Sequence, residues 1–164
     1  MPVIKVVFYK GPGGLLHKIV RWWTKSKYSH AELIMPDNET WISISPFLSS
    51  RVACRKIEQE ISSSEWDTLT FNLSSREPVK AYQLKQLFKF INKTEGMKYD
   101  WFGMVVSNFS PFLIKHRYKW YCSEWIAHAL VNSRIIMWDD IHIYSTPNLS
   151  PGKLYDILEK KQDI

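Results

Sequence analysis

The order in which two periodicities occur constrains this chain most. Up to residue 72 the apolar pattern alternates in short runs, and from residue 77 onward it recurs at helical spacing. Residues 3–9, rich in Val, Ile and Phe, read as a β-strand stopped by Gly11-Pro12-Gly13-Gly14. Residues 29–35 set His30, Glu32 and Ile34 on one face and Ala31, Leu33 and Met35 on the other. The turn Pro36–Glu39 returns the chain as a strand over Thr40–Ser45, and two more strands follow at about 51–57 and 66–72. Ser75-Arg76-Glu77-Pro78 is a helix start, with an apolar stripe of Ala81, Leu84, Leu87, Phe88 and Ile91 and an end at Gly96. Tyr99–Phe109 reads as a shorter helix or helical turn, closed by Ser110-Pro111. A further helix begins at Cys122 and runs to about Val131, and a last one starts with Ser150 as N-cap and Pro151 in its first turn. Strands first and helices after predict an α+β fold, a single domain over residues 1–164.

One short helix interrupts the strands. Leu15, Leu16, Ile19, Val20 and Trp23 give residues 15–23 an apolar stripe, beside a basic, tryptophan-bearing face. Such a helix packs on a sheet or lies on a membrane surface, and the first is the commoner use. The net charge of +6 is unevenly spread: Lys5, Lys10, Lys18, Arg21, Lys25 and Lys27 all precede the first acidic residue, Glu32. A block of one sign suggests a face turned toward an anionic surface or polymer, although a merely solvated face has the same composition. Trp22 and Trp23 among those lysines would also suit a single nucleic-acid strand, but no RNP, KH or zinc-finger pattern accompanies them, so nucleic acid ranks below the other partners. No leader and no run of about 18 apolar residues is visible, which predicts a cytoplasmic protein. The two cysteines, Cys54 and Cys122, make no disulfide framework, and free thiols in a reducing compartment are expected.

The chemistry centres on Trp120-Tyr121-Cys122-Ser123-Glu124-Trp125. Apolar positions 122, 125, 126, 129 and 130 form a core-facing helical stripe that Cys122 opens. A thiol in the first turn sits among unpaired N–H groups at the positive end of the helix dipole, which favours its thiolate. A small buried hydrophobe would occupy the same place. A nucleophilic cysteine needs a base, and the base needs a third group to fix its tautomer. His30 on its strand supplies the base if the helix packs against the sheet. His17, His116, His128 and His142 each read as structural or solvated. His30, Glu32 and Cys122 would also make three metal ligands, but no CxxC or HxxxH spacing supports them, and neither metal nor cofactor is expected.

Tyr28-Ser29-His30-Ala31-Glu32-Leu33, followed about ninety residues later by Cys122-Ser123-Glu124, resembles the circularly permuted branch of the NlpC/P60 superfamily of papain-like cysteine hydrolases. Thr24-Lys25-Ser26-Lys27-Tyr28-Ser29-His30 is similar to the family's lead-in, Gly96-Met97-Lys98-Tyr99-Asp100 to its Gly-x-x-Tyr-Asp motif, and Pro147–Leu154 to its final helix lead. The resemblance implies an antiparallel sheet or small barrel with the cysteine helix packed on it. It also implies Cys122 as nucleophile, His30 as general base, and the Cys122 N–H with the Tyr99 hydroxyl as oxyanion hole, with Tyr121, Tyr28 and Trp23 as further candidates for binding substrate. The family's third residue follows on the next strand, usually as His, Asn, Gln or Glu. Here that place holds Ser43 and Ser45, with Glu32 as a substitute. Because i and i+2 on a strand lie roughly 7 Å apart at Cα, the serines are favoured. The implied activity is hydrolysis of an amide or ester through an acyl-enzyme, in cell-wall peptides or small amides. The alternatives are a lipid-directed acyl hydrolase or acyltransferase of the same fold, and a non-catalytic basic binding protein.

Overall fold

β-Branched and aromatic residues fill the first strand, Val3–Tyr9 (β1), an inner strand hydrogen-bonded on both sides. The computed structural model describes residues 2–45, 50–57, 61–100, 119–137 and 149–161. β1 pairs with His30–Ile34 (β2) on one side and Trp66–Asn72 (β5) on the other. Thr40–Ile44 (β3) and Val52–Lys56 (β4) continue the sheet in the order β4-β3-β2-β1-β5, every neighbour antiparallel. The β2–β3 hairpin turns on Asp37, whose carboxylate accepts the backbone N–H groups of Glu39 and Thr40 at 3.0 and 2.8 Å.

The described helices are Leu15–Thr24 (α1), Glu77–Thr94 (α2), Cys122–Asn132 (α3) and Pro151–Glu159 (α4). α3 packs on β2 and β3 and carries α2 and α4 against its other sides. Phe8, Leu33, Ile42 and Ile44 from the sheet meet Trp125, Ile126 and Leu130 of α3 in the main core. Trp125 is fully buried and its indole N–H donates to Thr94 Oγ1 at 2.9 Å, so its large ring is accommodated without an orphaned donor. Ser150 caps α4 by accepting the Lys153 N–H at 3.3 Å, with Pro151 in the first turn, as the sequence predicts. The described residues are thus α+β, with a five-stranded antiparallel sheet and four helices.

Three local expectations change. α2 buries Gln83, Leu87, Ile91 and Thr94, while Ala81 and Phe88 face outward. The stripe is rotated because Gln83 is paired at both ends of its amide: Oε1 accepts the Ser74 N–H at 2.9 Å and Nε2 donates to the Arg134 carbonyl at 3.1 Å. Tyr99 belongs to a short strand, Lys98–Tyr99 (β6), parallel to Lys119–Trp120 (β7), and Asp100 follows it outside any helix, whereas residues 101–109 of the expected helix lie outside the described residues. Finally, α1 buries none of its residues, so it is not a helix packed by its apolar stripe on the sheet.

Candidate active site

The β2–β3 ladder runs only over Leu33–Ile42 and Ile34–Trp41, although both strands continue toward His30 and Ile44. The β2–β3 ladder stops short of His30, and α3, which Cys122 opens, packs against both strands. The backbone N–H groups of Ala31 and Ser123 lie near the Cys122 sulfur and favour its thiolate. Tyr121, the N-cap residue, provides no side-chain cap, so the first turn of α3 keeps its donors for the sulfur. Cys122 is 4% and His30 5% exposed, and the two are close enough for each to shift the other's ionisation.

Burial opposes charge on both groups, and their mutual attraction overrides it. The His30 imidazolium, the thiol's hydrogen bond to it and the two N–H groups hold the Cys122 pKa below that of an ordinary thiol. The Cys122 thiolate first, and Glu32 second, lift His30 from 6.5 to about 10. The two directions agree: each group favours the charged form of the other. Cys54 is the contrast, an exposed thiol whose pKa is raised, by partial burial first and then by the Glu95 charge.

Among the described contacts, the imidazole of His30 meets Glu32. Its Oε1 lies 3.2 Å from His30 Nε2, and its Oε2 is ion-paired with Arg55. With Nε2 given to Glu32, Nδ1 remains for the sulfur. Burial alone would raise the Glu32 pKa, but His30 and Arg55 together hold it below the usual carboxylate range. Ser43 and Ser45 are buried at β3, while a contact to the imidazole is made by Glu32. The Cα spacing that favoured the serines misjudges the reach of a glutamate, whose side chain spans the interval to a histidine at the end of the same strand.

Tyr99 is buried beside the cysteine helix because β6 pairs it with Trp120. Burial first, and then the negative charge at Cys122, keep its hydroxyl protonated well past its ordinary pKa, so it is an O–H donor next to the sulfur. Tyr121 is held protonated in the same way, chiefly by burial. Tyr28 lies elsewhere: its hydroxyl donates to Asp67 Oδ2 at 2.6 Å and its ring stacks on Tyr155 and Phe8. Lys10 and Lys27 pair with the same carboxylate at 2.6 and 3.0 Å, so this cluster pins the turn that delivers His30. Trp23 is half-buried on α1.

Two residues join the site that sequence reasoning set aside or never named. His17 on α1 hydrogen-bonds through Nδ1 to Ser29 Oγ at 2.8 Å, and its pKa is lowered by burial and then by the charge of His30. Arg55 on β4 is tied to the imidazole through Glu32. The pattern around His17 was purely helical, and only the tertiary fold brings it near His30. Among the described residues no three His, Cys, Asp or Glu side chains gather as a metal set. The remaining histidine of α3, His128, is buried against the Trp120 ring, while His116 and His142 lie outside the described residues. Among the described residues, no helix is long and apolar enough to cross a membrane. The chain matches no protein-family model, no curated protein and no solved structure.

Proposed function

We propose that this chain is a cysteine hydrolase of the permuted NlpC/P60 kind, with a papain-like core, acting on an amide or ester through an acyl-enzyme. The observation that carries the reading is the buried Cys122–His30 pair at the mouth of α3, backed by Glu32 on the far ring nitrogen. The thiolate attacks the substrate carbonyl, and the oxyanion that forms takes hydrogen bonds from the Cys122 N–H and the Tyr99 hydroxyl. His30, charged at rest, gives its proton to the departing amine or alcohol as the thioester forms. Neutral His30 then removes a proton from water as its oxygen attacks the thioester. Collapse releases the acid and restores thiolate and imidazolium. Glu32 keeps the ring in the tautomer and orientation that both steps use, the role a carboxylate plays behind a catalytic histidine generally.

A panel of peptide, glycerolipid and small-amide electrophiles, read by intact-protein mass spectrometry, tests this reading. The expected result is an acyl-mass adduct on Cys122 that Cys122→Ala abolishes. Adducts on Cys54 alone, or turnover that survives Cys122→Ala, overturn it.

A further inference from the structure

α1 is turned inside out for a helix that belongs to a core. Leu15, Ile19 and Trp22, spaced i, i+4, i+7 along one stripe, remain 74%, 40% and 81% exposed. The side facing the protein sets polar groups beside the half-buried Val20 and Trp23: His17 meets Ser29, and Arg21 donates to the carbonyls of Lys10 at 3.0 Å, Gly11, and Pro12 at 2.6 Å. The helix is therefore fastened chiefly by hydrogen bonds and leaves Leu15, Leu16, Ile19 and Trp22 outward. Lys18 on the helix and Lys25 at its C-cap are exposed, and no acidic residue precedes Glu32 in the chain.

We propose that α1 seats the protein on an anionic lipid bilayer, with Leu15, Ile19 and Trp22 at the boundary of headgroups and acyl chains and Lys18 and Lys25 on the lipid charges. An interfacial helix of this make-up settles about 5–10 Å into that boundary. Charge selects the occupant. A second copy docked on the same face would set Lys18 and Lys25 against like charges, whereas an anionic bilayer neutralises them. The docked helix also borders the strand that carries His30, since His17 on its inner side bonds Ser29, the residue before it. That the bilayer supplies the acyl substrate rests on the hydrolase reading above; the docking does not.

The experiment is co-sedimentation of the Cys122→Ala chain with vesicles of phosphatidylcholine plus phosphatidylserine, and of phosphatidylcholine alone, at low and high salt. Wild-type thiol alkylation is run in parallel. Binding to the anionic vesicles only, weakened by salt, is expected. Trp22→Ala should lower it about tenfold through lost apolar contact, and Lys18→Glu/Lys25→Glu at least about tenfold through lost attraction. Both substitutions are at exposed positions, and circular dichroism checks that the fold is kept. Failure to bind, equal binding to neutral vesicles, or full binding by Trp22→Ala overturns the proposal. So does self-association in sedimentation equilibrium that Trp22→Ala removes without any vesicle binding. Loss of docking with Cys122 still reactive sinks the docking alone, and docking with an inert Cys122 sinks the hydrolase reading alone.

Discussion

Glu32→Gln isolates the charge that stands behind the imidazole. The substitution keeps shape and hydrogen-bonding capacity while removing a negative charge from a side chain that is 4% exposed. A hydrogen bond to a charged partner contributes about 1.5–3 kcal/mol, which at 1.36 kcal/mol per pH unit is roughly one to two units in the His30 pKa. That pKa, lifted to about 10 in the native chain, therefore falls toward its ordinary 6.5, and the thiol's rises because its cationic partner is present less often. Iodoacetamide labelling of Cys122 across pH, in a Cys54→Ser background, reads the change directly. The midpoint should move up by about one to two pH units, and acyl transfer should slow roughly 10–100-fold. Stability gives a second reading with a definite sign. A histidine whose folded pKa is raised contributes fully below pH 6.5 and loses that contribution as pH climbs through about 10. In Glu32→Gln the loss sets in at lower pH. An unmoved or lowered labelling midpoint would refute the role assigned to Glu32, whatever happens to stability, since Arg55, 31% exposed, is readily rehydrated.

Two further perturbations test how the His30 turn is held. A Cβ at Gly152 would stand 2.2 Å from Ser26 Oγ and 2.6 Å from Ser26 Cβ, so Gly152→Ala must push α4 away from that turn; a loss of about 1–3 kcal/mol in denaturant unfolding is expected. Burial opposes the Asp67 charge, but Lys10, Tyr28 and Lys27 overcome it and hold its pKa at about 2. Its stabilising contribution is present above pH 3.8 and is lost as pH falls through about 2. Asp67→Asn should therefore cost about 1–2 kcal/mol at neutral pH, after discounting for a side chain 23% exposed, and the cost should vanish in unfolding measured near pH 2.

Much of the sheet was legible because a period of two on one half-buried strand leaves little freedom: β1 and the β2–β3 hairpin fall within a residue or so of their expected ranges. The Cys122 helix was legible from its apolar stripe, although the sheet, α2 and α4 bury it on nearly every side. What the pattern missed are polar groups that fold-level contacts satisfy. Gln83 is buried because a backbone donor and a carbonyl meet its amide, and hydropathy counts it as surface. α1 was expected chiefly as a packing helix because its stripe is apolar, but Arg21 and His17 fasten the other side. The pairing of His30 with Glu32 was underrated because Cα spacing says nothing about where two long side chains end. The early end of the β2–β3 ladder, short of His30, left no trace in either strand's sequence.

The central claim, a resting thiolate–imidazolium pair at Cys122 and His30, is tested most directly by titrating the ultraviolet absorbance of the thiolate in the Cys54→Ser chain. The account predicts a single-thiolate transition centred below the ordinary thiol value of 9.0, absent from Cys122→Ser and moved upward by His30→Gln. A transition centred at or above that value, or one indifferent to His30→Gln, would contradict it.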